Sequence, residues 1–169
     1  MVEFALIVPM LLLLLMGTVD LARVYMTMLS VESAAREAAD YGTFGSQRWN
    51  PAVVDLVPDG TVAQMQHRAC VAASKLPDYA GPDTGCANPR FSYQLSTDRG
   101  ATWAAYDPGA GCDDAIREPP CYLKVTLEYD FRLLVPLHIE AFGSSYGLPT
   151  SITFERSSVF AMTDLERAP

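Results

Sequence analysis

Few side chains in this sequence are arranged for acid–base, nucleophilic or metal chemistry. His67 and His138 are the only imidazoles, and neither lies in a motif with a nucleophilic serine or cysteine. Asp107, Asp113 and Asp114 flank a glycine-containing loop and could in principle surround a calcium ion, but their spacing matches no calcium-loop pattern. No GxGxxG, P-loop or HExxH motif is present. We therefore interpret the histidines and carboxylates as ordinary surface groups, and we expect no catalytic residue, no metal and no cofactor.

One short segment has the pattern of a turn motif. Residues 96–103 match S-x-D-x-G-x-T-W, the Asp-box that recurs in sialidases. In that motif the aspartate accepts backbone N–H groups, the glycine adopts a positive φ and the tryptophan packs beneath. The sequence predicts a hairpin between strands near 91–97 and 102–106, and a single copy does not predict a glycosidase, because those enzymes carry several. The structural members are Ser96, Asp98, Gly100, Thr102 and Trp103.

The four cysteines predict two disulfides. Cys70, Cys86, Cys112 and Cys121 form no CxxC pair, and their number is even. That pattern is typical of a domain that folds in an oxidising compartment. Three pairings are possible, and Cys70–Cys86 with Cys112–Cys121 is favoured because each bridge closes a short loop.

The N-terminal region predicts a helix that begins in an apolar environment. Residues 4–19 carry no charge. This run is slightly shorter than the roughly 20 apolar residues that cross a bilayer. A carboxylate beside such a run is costly unless another group neutralises it, so Glu3 is a candidate functional residue. Pro9 has no backbone donor, which either loosens the helix near Ala5 or is tolerated without effect.

Helical periodicity continues beyond Asp20 and Arg23, and Gly42 and Gly45 are predicted stop signals. A helix of about 40 residues is about 60 Å long, twice the thickness of the bilayer core. Half of it must therefore pack outside the membrane. The predicted apolar face of this second half consists of Leu21, Val24, Tyr25, Met28, Val31, Ala35, Ala38 and Ala39.

After the long helix the composition becomes that of a moderately polar globular domain. Residues 46–59 are predicted to be a linker, and residues 61–76 a second amphipathic helix that Pro77 ends. We divide the chain into a membrane or assembly helix, residues 1–45, and an extracytoplasmic, disulfide-stabilised α+β head, residues 46–169.

Alternating side chains predict an antiparallel sheet of about four strands in the head. The clearest strand covers residues 121–133, where apolar and polar residues alternate. The last covers residues 152–162, with a bulge near Ser157 where the alternation changes phase. Residues 138–149 contain two glycines and are predicted to be a loop. The predicted fold is α+β: a long N-terminal hydrophobic helix, a short helix and this sheet.

The charge balance excludes some partners. The net charge is −8, which argues against nucleic acid because phosphates require a basic surface. The basic residues are scattered, so no polybasic patch for an anionic leaflet is predicted. No basic segment precedes the apolar run and no small-residue cleavage site follows it, so the pattern is not that of an ordinary secretory signal peptide.

The N-terminal segments resemble a known family. V-E-F-A-L-I-V-P at residues 2–9 and S-A-A-R-E-A-A-D-Y-G at residues 33–42 are similar to the TadE-like family of tight-adherence pilus pseudopilins. V-T-L-E-Y-D-F-R-L-L-V-P at residues 125–136 resembles the family's strand that ends in F-x-x-L-x-P. Residues 46–120 show no such similarity. The resemblance implies a pilin-like fold.

The resemblance also implies a structural pilus subunit. A prepilin peptidase would remove a short basic leader, the helix would reside in the inner membrane, and the assembly machinery would move it into the core of a surface filament with copies of itself or other pilins. Glu3 would be neutralised by a neighbour's N-terminal ammonium or by an arginine. Pilins of this type usually carry the acid at the fifth mature position, so either two mature residues are missing here or processing differs. The implied assembly and helix-registration residues are Glu3, Phe4, Pro9, Asp20 and Arg23.

A second interpretation is a membrane-anchored extracytoplasmic binding module, or a minor pilus assembly factor that does not form the bulk of a filament. In the binding module, residues 11–15 belong to a signal anchor and Glu3 is a solvated terminal charge. Trp49 and Trp103 would then contact carbohydrate or a surface. Filament formation discriminates between the subunit and the binding module.

Overall fold

The computed structural model describes residues 2–43, 60–81, 86–105, 112, 119–134, 138–141, 144–147 and 150–162. Three of the strands in these residues, Arg90–Ser96, Tyr122–Arg132 and Ser151–Ala161, pair antiparallel in that order, and His138–Ala141 pairs with Ser144–Gly147 in a separate hairpin. The α+β class is confirmed, but the main sheet has three strands rather than about four. The predicted linker lies outside the described residues. The elements are α1 (Val2–Thr43), α2 (Gly60–Ala73), β1 (Arg90–Ser96), β2 (Tyr122–Arg132), β3 (His138–Ala141), β4 (Ser144–Gly147) and β5 (Ser151–Ala161).

Helix α1 changes environment along its length. It continues as α-helix across Pro9, and its second half packs against α2, β2 and β5. Small side chains on that half allow this close approach, and four of them are fully buried in the core: Ala34, Ala35, Ala38 and Ala39. The alanine face therefore packs on the chain's own head.

Helix α2 ends three residues before its predicted end. Beyond Ala73 the chain turns, with the Ser74 Oγ donating to the Val71 carbonyl at 2.6 Å and the Leu76 N–H donating to the Ala73 carbonyl at 3.0 Å. The structure contains both disulfides of the favoured pairing, Cys70–Cys86 and Cys112–Cys121. The first ties α2 to the segment that leads into β1.

Strand β2 is the centre of the sheet, and its alternation is as predicted. Leu123, Val125, Leu127, Tyr129 and Phe131 are fully buried, and the residues between them lie on the outer face.

Strand β5 has no bulge, contrary to the prediction. Its register with β2 is continuous from Tyr122↔Ala161 to Arg132↔Ser151. The apparent change of phase has a compositional cause: the inward position 158 carries a serine, whereas the outward position 159 carries a valine that is 48 % exposed. When only the sequence is considered, a polar residue at an inward position followed by an apolar one at an outward position looks like a change in the phase of the alternation.

The predicted loop over residues 138–149 is also wrong. It contains β3 and β4, paired from His138↔Gly147 to Ala141↔Ser144. Each strand has only four residues. A period of two is hard to recognise in so short a segment, and the glycines at 143 and 147 favour a loop prediction.

Gly42 lies in the last turn of α1, where a helix stop is predicted, and it is also a packing residue. A Cβ at this position would lie 2.5 Å from the Met65 Sδ and would also collide with the Leu123 Cδ2. Both neighbouring side chains are fully buried. The glycine thus allows α1 to approach α2 and β2, and α1 ends one residue later, at Thr43.

We expect Gly42→Ala to destabilise the fold by about 1–3 kcal/mol, the usual cost of overpacking. This exceeds the gain in helix propensity, which is at most about 1 kcal/mol. Denaturant unfolding of the full chain in detergent measures the change. Gly17→Ala in the same helix is the matched control, because its Cβ would have nothing within 4 Å. Equal losses at the two sites would contradict the packing role.

Candidate assembly surface

The first part of α1 is an exposed apolar surface. Phe4 is 74 % exposed, and the residues from Leu11 to Leu15 are 52–60 % exposed. Among the described residues, one helix is long and apolar enough to cross a membrane by length and composition, with a mean hydropathy of 1.9 in its 18-residue window. Such a surface requires lipid or protein around it, because exposed apolar patches of this extent are rare on soluble monomers. Glu3 is described only as a residue of α1.

Asp20 and Arg23 lie where α1 meets the end of the sheet. The Asp20 Oδ1 is 3.3 Å from the Arg23 Nη1 and also accepts the Leu134 N–H at 3.3 Å. The Arg23 guanidinium lies over the Phe131 ring, 5.1 Å from its centroid. Asp20 is 8 % exposed. Asp20, one of the implied helix-registration residues, therefore attaches α1 to the chain that leaves β2, a contact between residues 114 positions apart.

Asp20→Leu is expected to destabilise the head by about 1–3 kcal/mol, because it leaves the Leu134 N–H and the Arg23 guanidinium without this acceptor. Asp20→Asn retains a carbonyl oxygen that can accept the Leu134 N–H, so this variant is expected to lose less free energy of unfolding. Denaturant unfolding of the full-length variants in detergent gives both values. An Asp20→Leu variant as stable as the wild type would show that the contact contributes nothing.

The Asp-box-like segment forms a turn held by its own side chains. The Asp98 Oδ1 accepts the Ser96 hydroxyl at 2.7 Å and the Thr102 N–H at 2.8 Å, and its Oδ2 accepts the Thr102 hydroxyl at 2.7 Å. Gly100 has a φ of 91° and donates its N–H to the Ser96 Oγ at 2.8 Å. Trp103 is half-buried, with the Lys124 Nζ 5.8 Å from its ring centroid.

The second arm of this predicted hairpin is reduced to one β-bridge. Leu95 and Ala104 exchange both backbone hydrogen bonds, at 2.7 and 2.9 Å. No strand follows within the described residues up to 105. The segment is thus a capped turn at the end of β1, and its polar groups satisfy one another.

Acid is expected to weaken this turn. Hydrogen bonds from Thr102 and then Ser96 hold the pKa of the Asp98 carboxyl well below its ordinary value of 3.8. Because the folded-state pKa is lowered, the stabilisation is present above the unfolded pKa and is lost as the pH falls through the folded one.

We therefore expect the melting temperature of the wild type to decrease once the pH is lowered below about 4. The Asp98→Asn variant should be less stable than the wild type at pH 7, but its melting temperature should depend less on acid. Circular dichroism melts at pH 7 and pH 3 measure both effects. Glu155→Gln, at an exposed position of β5, is the control. An acid dependence that Asp98→Asn leaves unchanged would argue against this assignment.

A polar network that the sequence did not predict covers the outer face of the sheet. The Asn88 side chain donates to the Asp78 and Asp130 carbonyls at 2.6 and 2.9 Å and accepts the Asp130 N–H at 2.9 Å. Arg90 lies 2.7 Å from Asp130 and 3.1 Å from Glu128. Hydrogen bonds to Glu128 and Asp130 raise the pKa of Arg90, and the Arg90 bond lowers that of Asp130. This face is therefore charged and faces water.

Other residues considered for chemistry do not form a site. No group of three or more His, Cys, Asp or Glu side chains in the described ranges is placed to hold a metal ion. His67 lies half-buried on α2, and His138 is described only as a residue of β3. The predicted acidic loop, with Asp107, Asp113 and Asp114, and Trp49 lie outside the described residues.

The apolar, exposed first part of α1 and the Asp20–Arg23 contact coincide with the segment that comparison with known proteins identifies. Residues 1–40 match the family model described as TadE-like protein. The resemblance is thereby confirmed for this segment, and it suggests a protein related to the Tad pilus. No curated protein and no solved structure matches the chain. The TadE-like match ends within α1, so the head is interpreted from its own geometry.

Proposed function

We propose that this chain is a pilin-like structural subunit. Its apolar N-terminal helix lies in the inner membrane before assembly and then packs with neighbouring subunits in the core of a surface filament. The proposal rests on the TadE-like match together with the division of α1 at Asp20 into an exposed apolar part and a part that is built into the head.

The direct connection of the apolar segment to the head favours a subunit over a simple tether. A tether requires only an anchor and a flexible link, whereas here one helix continues from the apolar segment into the core of the head. Val31 and Ala38, in the second half of α1, are fully buried, and α1 packs against α2, β2 and β5. Packing of the apolar part against neighbours would therefore also set the position of each head.

In the proposed assembly pathway, the helix first lies in the membrane. Residues 4–19 span about 24 Å at 1.5 Å per residue, close to the hydrocarbon thickness of about 30 Å. The head lies on the oxidising side, where Cys70–Cys86 and Cys112–Cys121 form. The partners are copies of the chain or other pilins, a prepilin peptidase and the pilus assembly machinery.

The proposal is tested on surface filaments sheared from cells that produce the chain. Electron microscopy and mass spectrometry of the purified filaments should find the chain as a filament component, with its mature N-terminus at or within two residues of Met1. A chain that forms the bulk of the filament is a major subunit, whereas a small share indicates a minor one. A chain found only in the detergent-soluble membrane fraction would favour the membrane-anchored binding module or a non-filament assembly factor.

A further inference from the structure

An apolar groove lies where the sheet ends against α1. Its volume is about 510 Å³, and its walls include Leu13, Leu14 and Gly17 of α1 together with Leu133 and Ile152 at the end of the sheet. Asp20 borders the groove, and its carboxylate is bonded to Arg23 and Leu134. We call this the base groove. The surface of the groove is apolar, and the charged side chain that borders it is paired.

A second apolar surface lies further along the same helix, on a different side of it. Tyr25, Met26 and Leu29 are 63 %, 64 % and 47 % exposed, and we call them the outer stripe. Tyr25 belongs to the predicted apolar face of α1, and in the structure that residue is exposed. At about 100° per residue, Tyr25, Leu29 and Met26 lie about 80°, 120° and 180° around the helix axis from Gly17 of the base groove.

Neither lipid nor the chain's own head covers the outer stripe. The same turns of α1 pack against the sheet through Thr27 and Val31, which are 3 % and 0 % exposed. The outer face of that sheet carries the Arg90–Asp130 ion pair, which places this level in water rather than hydrocarbon. An apolar stripe at the level of a water-exposed head requires a protein partner.

We propose that the outer stripe of one copy of this chain packs into the base groove of the next copy, a contact that rests on the proposed filament function. Both surfaces are apolar, and the nearest charged groups beyond the stripe, Glu32 and Arg36, neutralise each other. All copies enter the membrane in the same direction, so the helices are parallel. The stripe lies about eight residues beyond the middle of the groove, so neighbours are shifted by roughly 12 Å along the axis.

This contact is head-to-tail. Groove and stripe are different patches, separated both around the helix and along its axis, so each copy that offers its stripe to one neighbour leaves its groove open for another. A heterologous contact that does not close into a ring continues as an open helical array. The inference thus supplies a specific pair of surfaces for the growth of the filament.

The test uses two single-cysteine variants of the full chain, Gly17→Cys and Met26→Cys, produced together in one cell. All four native cysteines are in disulfides, so the introduced thiols are the free ones. A disulfide needs Cα atoms within about 7 Å, and positions 17 and 26 of one helix are about 13 Å apart, so any bridge between them joins two copies.

The expected result is a disulfide-linked dimer from the mixture at about tenfold the yield of either variant alone, since only mixed contacts bring the two Cα atoms within bridging distance. Mass spectrometry should identify the 17–26 linkage. Gly17→Cys with Ser33→Cys is the matched control, because Ser33 is exposed on nearly the same side of α1 as Met26 but about 10 Å further along the axis.

Three outcomes would overturn the inference while leaving the filament proposal intact. These are filaments that contain the chain without a 17–26 linkage, efficient dimers from Met26→Cys alone, and linkage of these positions to a different protein. Cells that produce the chain but give neither filaments containing it nor any linkage would overturn the proposed function itself.

Discussion

Replacement of Glu3 by leucine is expected to abolish incorporation of the chain into filaments while leaving membrane insertion and folding of the head unchanged. A leucine lowers the cost of residing beside the apolar residues 4–19, so insertion does not depend on the carboxylate. In the assembled state a neighbour's N-terminal ammonium or an arginine would lose its partner, at about 3–5 kcal/mol per contact for a buried pair. The loss would recur at every subunit, so filament yield should fall to background.

The measurement compares filament yield by electron microscopy with the amount of chain in the membrane fraction. Met10→Leu is the matched control, because Met10 is 67 % exposed on the same helix and the change keeps an apolar side chain. It should give normal filaments. Glu3→Asp, which keeps the charge, should retain part of the yield. Wild-type filaments from Glu3→Leu would eliminate the proposed role of Glu3.

The second large effect is on folding rather than assembly. Phe131→Ala is expected to destabilise the head by about 3–5 kcal/mol, the usual range for removing a fully buried phenylalanine. Phe131 has no exposed surface, its ring centroid is 6.1 Å from that of Phe154, and the Arg23 guanidinium lies over its face. The substitution therefore leaves a cavity next to the site where α1 meets the sheet. Against a typical domain stability of about 5–15 kcal/mol, this is a large fraction.

Denaturant unfolding followed by near-ultraviolet circular dichroism measures this loss in the full chain. Phe160→Ala is the control, since Phe160 lies on β5 of the same sheet but is 36 % exposed. The Phe160→Ala variant should lose clearly less free energy of unfolding than Phe131→Ala. Similar losses at the two positions would mean that burial at Phe131 does not control the stability of the head. Together the Glu3 and Phe131 variants separate assembly from folding.

Local patterns were sufficient for several parts of this molecule. The uncharged run over residues 4–19, the second amphipathic helix and the alternation along β2 each arise from a period that one element repeats several times. The spacing of Ser96, Asp98 and Thr102 likewise specified a turn, because its hydrogen bonds join residues within a few positions of one another. The favoured disulfide pairing also followed from short separations along the chain.

The candidate site was predicted in part. Asp20 and Arg23 were named because the resemblance implies a role for them in assembly, but their contacts with Leu134 and Phe131 join segments more than a hundred residues apart. Glu3 stays a prediction. The base groove was not predicted, because its two walls come from opposite parts of the chain.

What the sequence by itself determined is the list of long, regular elements and the presence of an apolar helix with an acid at its start. The tertiary structure alone decided which neighbours those elements have. Periodicity shows that a face is apolar, but not whether it meets the chain's own sheet or another molecule. Tyr25 and Val31 both belong to the predicted apolar face, yet Tyr25 is exposed and Val31 is fully buried. Gly42 was predicted as a helix stop, and α1 does end one residue later, but only the structure shows that Met65 and Leu123 occupy the space of its missing side chain. Such contacts depend on the three-dimensional proximity of distant residues, which no local pattern encodes.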